Sequence, residues 1–200
     1  MQEANSPRRS NRERTEATRA ALLDAARKLF VEKSYAETGT PEIVAAAGVT
    51  RGALYHHFAD KQALLRAVVE AESQAVADEI DRAAPEALSA RDALVRGGET
   101  FLEAMAVPGR TRLLLLDGPA VLGRAAMDEI DARHANSTLK IGLEAAMQAG
   151  DLSALPLDAL AAQLGAMFDR AALAIEAGSP PEDHRKVLAA VIDALVAAKS

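Results

Sequence analysis

Thr50, Arg51, Tyr55 and His56 carry side chains suited to hydrogen bonding along one face of a short helix. Thr50 precedes this helix, Arg51 opens it, and Tyr55 and His56 follow about one turn later. An arginine fork chelates guanine through O6 and N7, and the free N–H groups behind a capping threonine attract phosphate. Residues of these types in this order predict contacts with the major groove of double-stranded DNA.

Two small residues inside the same segment favour close approach of its backbone to the bases. Gly52 and Ala53 present almost no side chain, so the first helical turn can lie near base edges and thymine methyl groups. Lys61, at the start of the next helix, is expected to bind a phosphate. The predicted DNA-binding residues are Thr38, Thr40, Thr50, Arg51, Gly52, Ala53, Tyr55, His56 and Lys61.

The surrounding pattern predicts four helices that position this segment. Ser10 and Glu13 form a capping box that opens the first helix, which ends near Lys33. The second helix covers about 41–47 and is capped either by Thr40 or by Gly39 with Glu42. Gly48 provides the turn. The third helix covers 51–58, and a fourth runs from 61 to about 84, where a proline stops it.

Helical periodicity continues to the end of the chain, and no segment alternates as a strand does. A fifth helix begins at Ser89 and contains Gly97 and Gly98, which indicate either close helix packing or room for a ligand. We predict a short helix over 109–117 and a long one from Pro119 to about Ala149. An eighth helix covers 156–178, and a ninth starts within 179–182. The fold class is all-α.

Charge is divided unevenly along the chain. Residues 1–66 hold 11 Lys/Arg against 8 Asp/Glu, whereas the remaining residues hold 12 against 21. A mildly basic first third joined to an acidic remainder is typical of a DNA-binding module attached to a module that does not bind DNA. The first ten residues are polar and are expected to be a disordered arm.

Composition argues against several other classes. The chain has no cysteine, and we find no apolar run long enough to span a bilayer, no secretory signal and no phosphate-binding loop. Adjacent residues His56 and His57 diverge on a helix and lack a third ligand, so we predict no metal site. We expect no catalytic residues, no cofactor, no membrane partner and a cytoplasmic location.

The segment from about 12 to 66 resembles the TetR family of bacterial transcriptional repressors. The family motif is matched at consistent spacing and is specific, with Ser34, Gly39 and Val44 as departures from its usual residues. The matching residues are Phe30, Tyr35, Thr38, Ile43, Ala47, Gly48, Val49, Thr50, Gly52, Tyr55, His57, Phe58, Lys61 and Leu64. The rest of the chain is similar only in being an all-helical body.

This resemblance implies a ligand-responsive repressor: a homodimer that binds a palindromic operator and leaves it when a small molecule enters the body. It implies a DNA-binding domain over 11–66, joined by a long helix to an effector-binding and dimerisation domain over 67–200. The effector-pocket candidates are Phe101, Met105, Leu116, Arg124, Met127, Met147 and Phe168.

Apolar stripes on the last two predicted helices agree with a dimer, although they also suit a core within one chain. The dimer-interface candidates are Leu157, Leu160, Ala161, Leu164, Phe168, Val187, Val191 and Leu195. Two alternatives to repression stay open: a helical protein-interaction module that has lost DNA binding, and an activator of the same fold. Nothing in the sequence supports an enzyme.

Overall fold

The computed structural model describes residues 10–83 and 88–197, and all of their regular structure is helical. The predicted disordered arm over 1–10 falls, apart from Ser10, outside the described residues, as does the proline at 85. The chain divides into two compact units, an N-terminal unit ending at Val68 and a C-terminal unit beginning at Val69. The prediction placed this boundary after residue 66, and the limits of an independently folding domain stay a prediction.

From residue 10 onward, four helices contribute to the N-terminal unit, and each begins where a capping signal stands. They are α1 (Asn11–Lys33), α2 (Thr40–Ala47), α3 (Arg51–His57) and the start of α4 (Lys61–Ala83). The Ser10–Glu13 capping box is present in both directions. Gly39 is the N-cap of α2, and its N–H donates to the Glu42 carboxylate at 3.3 Å. Of the two caps considered, Gly39 is therefore the one the fold uses.

One apolar core holds these helices together. It combines the inner stripe of α1 with single large residues from the short helices and with the first turns of α4. Its fully or nearly fully buried members are Leu22, Ala26, Phe30, Ile43, Leu54, Phe58, Leu64 and Leu65. Because α2 has 8 residues and α3 has 7, neither is stable alone, and this burial maintains both.

In its described residues, the C-terminal unit contains the rest of α4 and seven further α-helices. These are α5 (Ala90–Met105), α6 (Arg110–Arg112), α7 (Gly118–Leu122), α8 (Arg124–Arg133), α9 (Ala135–Gln148), α10 (Leu157–Glu176) and α11 (Pro181–Ala197). A π-helical turn, Leu113–Asp117, joins α6 to α7. Helix α5 packs against α9, α10 and α11, so it forms the centre of this unit.

The prediction of one long helix from Pro119 to Ala149 is wrong. The structure has three helices there, α7, α8 and α9, separated at Gly123 and His134. Gly123 adopts φ 83° and ψ 160°, and His134 adopts φ −123° and ψ −113°, neither of which continues a helix. The prediction failed because good helix formers stand on both sides of Gly123 and the helical spacing of apolar residues continues across it. The glycine breaks the helix without altering that spacing.

A buried arginine links three helices of the C-terminal unit. Arg110 is 6% exposed. Its Nε donates to Glu72 at 2.9 Å, and its Nη1 donates to Glu79 at 3.0 Å and to the Ala104 carbonyl at 2.7 Å. A buried guanidinium persists only when its donors are paired in this way, so these contacts fix α6 against α4 and the end of α5.

The glycine pair of α5 allows one close helix contact. A Cβ on Gly98 would lie 2.6 Å from Cε1 of Phe168 on α10, whereas a Cβ on Gly97 would lie 3.9 Å from Ile80. Gly98 therefore lets the Phe168 ring rest on the α5 backbone, and Gly97 has ordinary space around it. Of the two roles considered for the pair, close packing is the one that Gly98 serves.

We predict that Gly98→Ala and Gly97→Ala change stability in opposite directions. Gly98→Ala lowers the free energy of unfolding by about 1–3 kcal/mol, because the ring must move. Gly97→Ala raises it by up to about 1 kcal/mol, because alanine favours a helix and meets no clash. Urea unfolding of both variants measures the difference, and equal effects would show that the Phe168 contact does not constrain α5.

Candidate nucleic-acid interface

The third helix is held from one side only. Leu54 is fully buried and Phe58, its C-cap, is 5% exposed, so both face the core of the N-terminal unit. Arg51, Gly52, Tyr55 and His56 are exposed, which leaves the opposite face of α3 free of the unit's core. The structure thus brings most of the predicted contacts together on one outward surface.

The start of α3 is fixed by its cap and by the turn before it. Gly48 adopts φ 65°, the left-handed conformation that ends α2 and that glycine accepts without cost. The Thr50 hydroxyl oxygen accepts from the Ala53 N–H at 3.1 Å. Thr50 is exposed, and the hydroxyl hydrogen remains a potential donor to a phosphate oxygen.

Arg51 and Tyr55 form a pre-arranged pair on this surface. The guanidinium carbon of Arg51 lies 5.5 Å from the centroid of the Tyr55 ring, a stacking distance. Hydrogen bonding from Arg51, and then from Thr40, lowers the pKa of Tyr55 below its ordinary value of 10. The phenol therefore interacts with Arg51 on its own helix and with Thr40 at the start of α2. Thr40 itself is half-buried.

Two features at the inner edge of α3 were not predicted from the sequence: an arginine that contacts Phe58 and a histidine with a lowered pKa. Arg19 of α1 lies over the Phe58 ring, 5.4 Å from its centroid. Partial burial, the neighbouring His56 and Arg19 together lower the pKa of His57 below 6.5. His57 is thus biased toward its neutral form.

The Thr38 prediction needs correction. Thr38 is 1% exposed, and its hydroxyl lies 2.7 Å from the Ser34 carbonyl and 3.2 Å from the Leu29 carbonyl. Its side chain fixes the end of α1 and is not available to DNA. Lys61 is half-buried, and its ammonium contacts backbone carbonyls of the same turn. A phosphate contact by Lys61 stays a prediction.

The predicted effector residues are dispersed in the C-terminal unit. Phe101 and Phe168 are in contact, with ring centroids 5.8 Å apart. Met105 and Met127 are buried and Met147 is half-buried. Leu116 is 50% exposed, and the exposed Arg124 pairs with Asp128 at 2.8 Å on its own helix. Of this set, Phe168 alone lines either of the two clefts described in the C-terminal unit.

A narrow apolar cleft lies among α5, α9, α10 and α11, and its free volume of about 10 Å³ has room for about one water molecule. Phe168 is the predicted pocket residue that lines it. The lining residues are Leu94, Leu139, Leu143, Leu152, Leu164, Phe168, Ile192, Leu195 and Val196. An effector of ordinary size would have to displace some of this packing.

Two half-buried carboxylates of the C-terminal unit, Asp131 and Asp169, have raised pKa values. Burial and, after it, the nearby charge of Asp131 raise the pKa of Asp169 to about 6, while Arg124 opposes the rise. Burial also raises the pKa of Asp131, while Arg124 opposes the rise. Within the described residues, no group of three or more acidic or histidine side chains could hold a metal ion.

The predicted dimer residues divide into two groups. Ala161, Leu164 and Phe168 are buried in the core of a single chain, so their assignment to a surface is corrected. Leu157, Leu160, Val191 and Leu195 are half-buried, and Val187 is 58% exposed. The exposed residues of α10 and α11 include four alanines, Ala162, Ala166, Ala190 and Ala194, together with several charged residues.

No described helix is long and apolar enough to cross a membrane.

Two family models match the chain. Residues 22–68 match bacterial regulatory proteins of the tetR family, and residues 91–198 match a Tetracyclin repressor-like C-terminal domain. One match falls in each compact unit, and the first includes the whole of α3.

Individual proteins agree with the family models. A TetR-family transcriptional regulator from Pectobacterium atrosepticum is 32% identical, with a TM-score of 0.73, over 94% of this chain and 95% of that one. The regulator AcrR of Shigella flexneri is 42% identical over 62 residues, 31% of this chain and 29% of that protein. An HTH-type transcriptional repressor of Mycobacterium tuberculosis is 38% identical over 61 residues, 30% of this chain and 33% of its own length.

The matches to these two curated relatives thus span less than two thirds of either protein's length. The solved structure, in contrast, is matched over nearly its full length. On the family models and this structure together, the chain belongs to the TetR family of bacterial transcriptional regulators, DNA-binding proteins that are not enzymes.

Proposed function

We propose that the protein is a homodimeric repressor that binds a palindromic operator and is released by a small molecule in the bacterial cytoplasm. The observation that carries this proposal is the exposed face of α3. Arg51, Gly52, Tyr55 and His56 are all exposed, although Leu54 and Phe58 of the same segment are fully or nearly buried. A rigid helix with a free polar face and a glycine at its start suits the major groove.

Each exposed residue has a role in that complex. Arg51 donates to guanine O6 and N7, and its stacking on Tyr55 reduces the entropy lost when it binds. Thr50 donates its free hydroxyl hydrogen to a phosphate, and Thr40 contributes from the start of α2. His56, also exposed, contacts phosphate or a base edge one turn further along.

Dimerisation uses the outer faces of α10 and α11. The small exposed residues of both helices allow two copies to approach closely, and Val187 and Val191 provide apolar area. A two-fold dimer presents one α3 to each half of a palindrome, so the symmetry of the protein dictates that of the operator. The effector binds in the C-terminal unit, near the contact of Phe101 with Phe168.

Selection of duplexes from a random-sequence pool, followed by sedimentation of the complex, tests the proposal. We expect a palindromic consensus, two chains per duplex and affinity that falls steeply as salt is raised, because phosphate contacts release counterions. Failure to enrich any duplex at moderate salt would contradict it. That result would favour a helical interaction module, and transcription assays on the selected site distinguish a repressor from an activator.

We predict that Arg51→Ala weakens binding to the selected duplex by about 1–3 kcal/mol and relaxes the preference for guanine at one position per half-site. Arg96→Ala is the matched control, because Arg96 lies on α5 and pairs at 3.7 Å with Glu99 of the same helix. Fluorescence anisotropy with base-substituted duplexes measures both. Equal affinities for Arg51→Ala and the unmodified protein would exclude Arg51 as a base reader.

We predict opposite effects of Gly52→Ala on folding and on DNA binding. A Cβ at Gly52 would lie 3.9 Å from the Thr50 hydroxyl, so alanine fits the free protein and raises its stability by up to about 1 kcal/mol. The same methyl group occupies space that the DNA requires and weakens binding. Gly97→Ala is the control, because Gly97 lies in the C-terminal unit and α3 lies in the N-terminal unit. Unchanged affinity would show that this backbone does not approach DNA closely.

A further inference from the structure

Lys61 has a different environment from that of a lysine prepared to meet DNA. Its Nζ donates to the carbonyl of Tyr35 at 2.9 Å and to the carbonyl of Thr38 at 3.0 Å. The same atom lies 4.1 Å from the centroid of the Tyr35 ring, so the ring face covers part of the remaining charge. Three groups of one turn therefore surround this ammonium.

That turn determines where α2 begins. It spans 34–39, starts at Ser34 with φ 86°, and leads directly into Thr40. Thr38 fixes the turn to the end of α1 through its hydroxyl, which is close to the Ser34 and Leu29 carbonyls. Lys61 fixes the same turn to the first residue of α4. The start of α2 is thus held from both neighbouring helices.

The two carbonyls also explain why the Lys61 side chain stays against this turn. A carbonyl in a part-buried turn requires a donor, and the Tyr35 and Thr38 carbonyls receive charge-assisted bonds from one ammonium. If Lys61 turned toward a phosphate, both carbonyls would lose this partner. Lys61 would then gain one charge-assisted contact, with the phosphate, and lose two, with the carbonyls.

We propose that Lys61 is a positioning residue: its ammonium holds the α1–α2 turn against α4, so that α2 and α3 are arranged before DNA arrives. This reassigns a residue that the sequence predicted to be a phosphate ligand. Its effect on DNA binding rests on the proposed function, whereas its effect on the turn does not.

Salt dependence separates the two roles. A lysine that neutralises a phosphate releases a counterion, so its loss reduces the slope of log K against log[salt] by about 1. A lysine that holds the turn contributes no counterion, so its loss weakens binding equally at every salt concentration. The variant Lys61→Met keeps the apolar stem and removes the donors, and Lys61→Gln keeps a neutral donor.

The experiment measures both variants on the duplex selected by the unmodified protein, and it measures amide hydrogen exchange of the peptide 34–42 without DNA. We expect Lys61→Met to weaken binding on the order of tenfold with an unchanged salt slope, and to accelerate exchange in this peptide by a similar factor. Lys61→Gln should give the same slope and intermediate exchange. Lys28→Met is the control, because exposed Lys28 pairs at 2.8 Å with Asp24 of its own helix; it should change neither quantity.

A slope reduced by about 1 in Lys61→Met or Lys61→Gln overturns the proposal, because it shows a phosphate contact. Exchange in 34–42 that equals that of the unmodified protein also overturns it. If the unmodified protein binds no duplex, the proposed function fails, and the exchange measurement still decides whether Lys61 holds the turn. If Lys61→Met does not fold, Lys61→Gln provides the same two readings.

Discussion

Helix α3 has only 7 residues, and a helix of this length is not stable in water by itself. The rest of the N-terminal unit must therefore stabilise it. The burial of Leu54 and Phe58 supplies the stability that α3 lacks, and it is provided from one side only. The other side is consequently left without partners in the core. Support from one side produces both the rigidity and the free surface that a groove-reading helix needs.

The neighbouring elements serve the same requirement in different ways. Gly48 gives the turn its left-handed residue, Thr50 caps the helix, and Tyr55 links it to Thr40 at the start of α2. Behind them, Thr38 and Lys61 secure the turn from which α2 starts. The polar side chains that the sequence assigned to DNA thus form two groups. Some face outward from α3, and others contact the protein and position the outward-facing ones.

Local signals explain which parts of the structure were predictable. Start signals and apolar periodicity located the starts of α1 to α5, α10 and α11 to within one or two residues. The outward face of α3 followed from helical spacing around Leu54 and Phe58. The break at Gly123 was not visible, because glycine is tolerated inside helices as well as between them.

Long-range contacts were not predictable in the same way. The buried Arg110 pairs with Glu72 and Glu79, which lie far from it in sequence, although their spacing on an apolar face of α4 was an available signal. Thr38 and Lys61 match the family motif, and a motif does not reveal whether a residue contacts DNA or the protein. Leu164 and Phe168 belong to an apolar stripe, and a stripe does not reveal which helix covers it.

The placement of α3 in the major groove is the central claim, and dimethyl sulfate probing of the selected duplex tests it most directly. This reagent methylates guanine N7 in the major groove and adenine N3 in the minor groove. The account predicts that the bound protein protects guanine N7 at positions related by the two-fold axis of the operator. Bound DNA with every guanine N7 still reactive, or with protection confined to adenine N3, would contradict it.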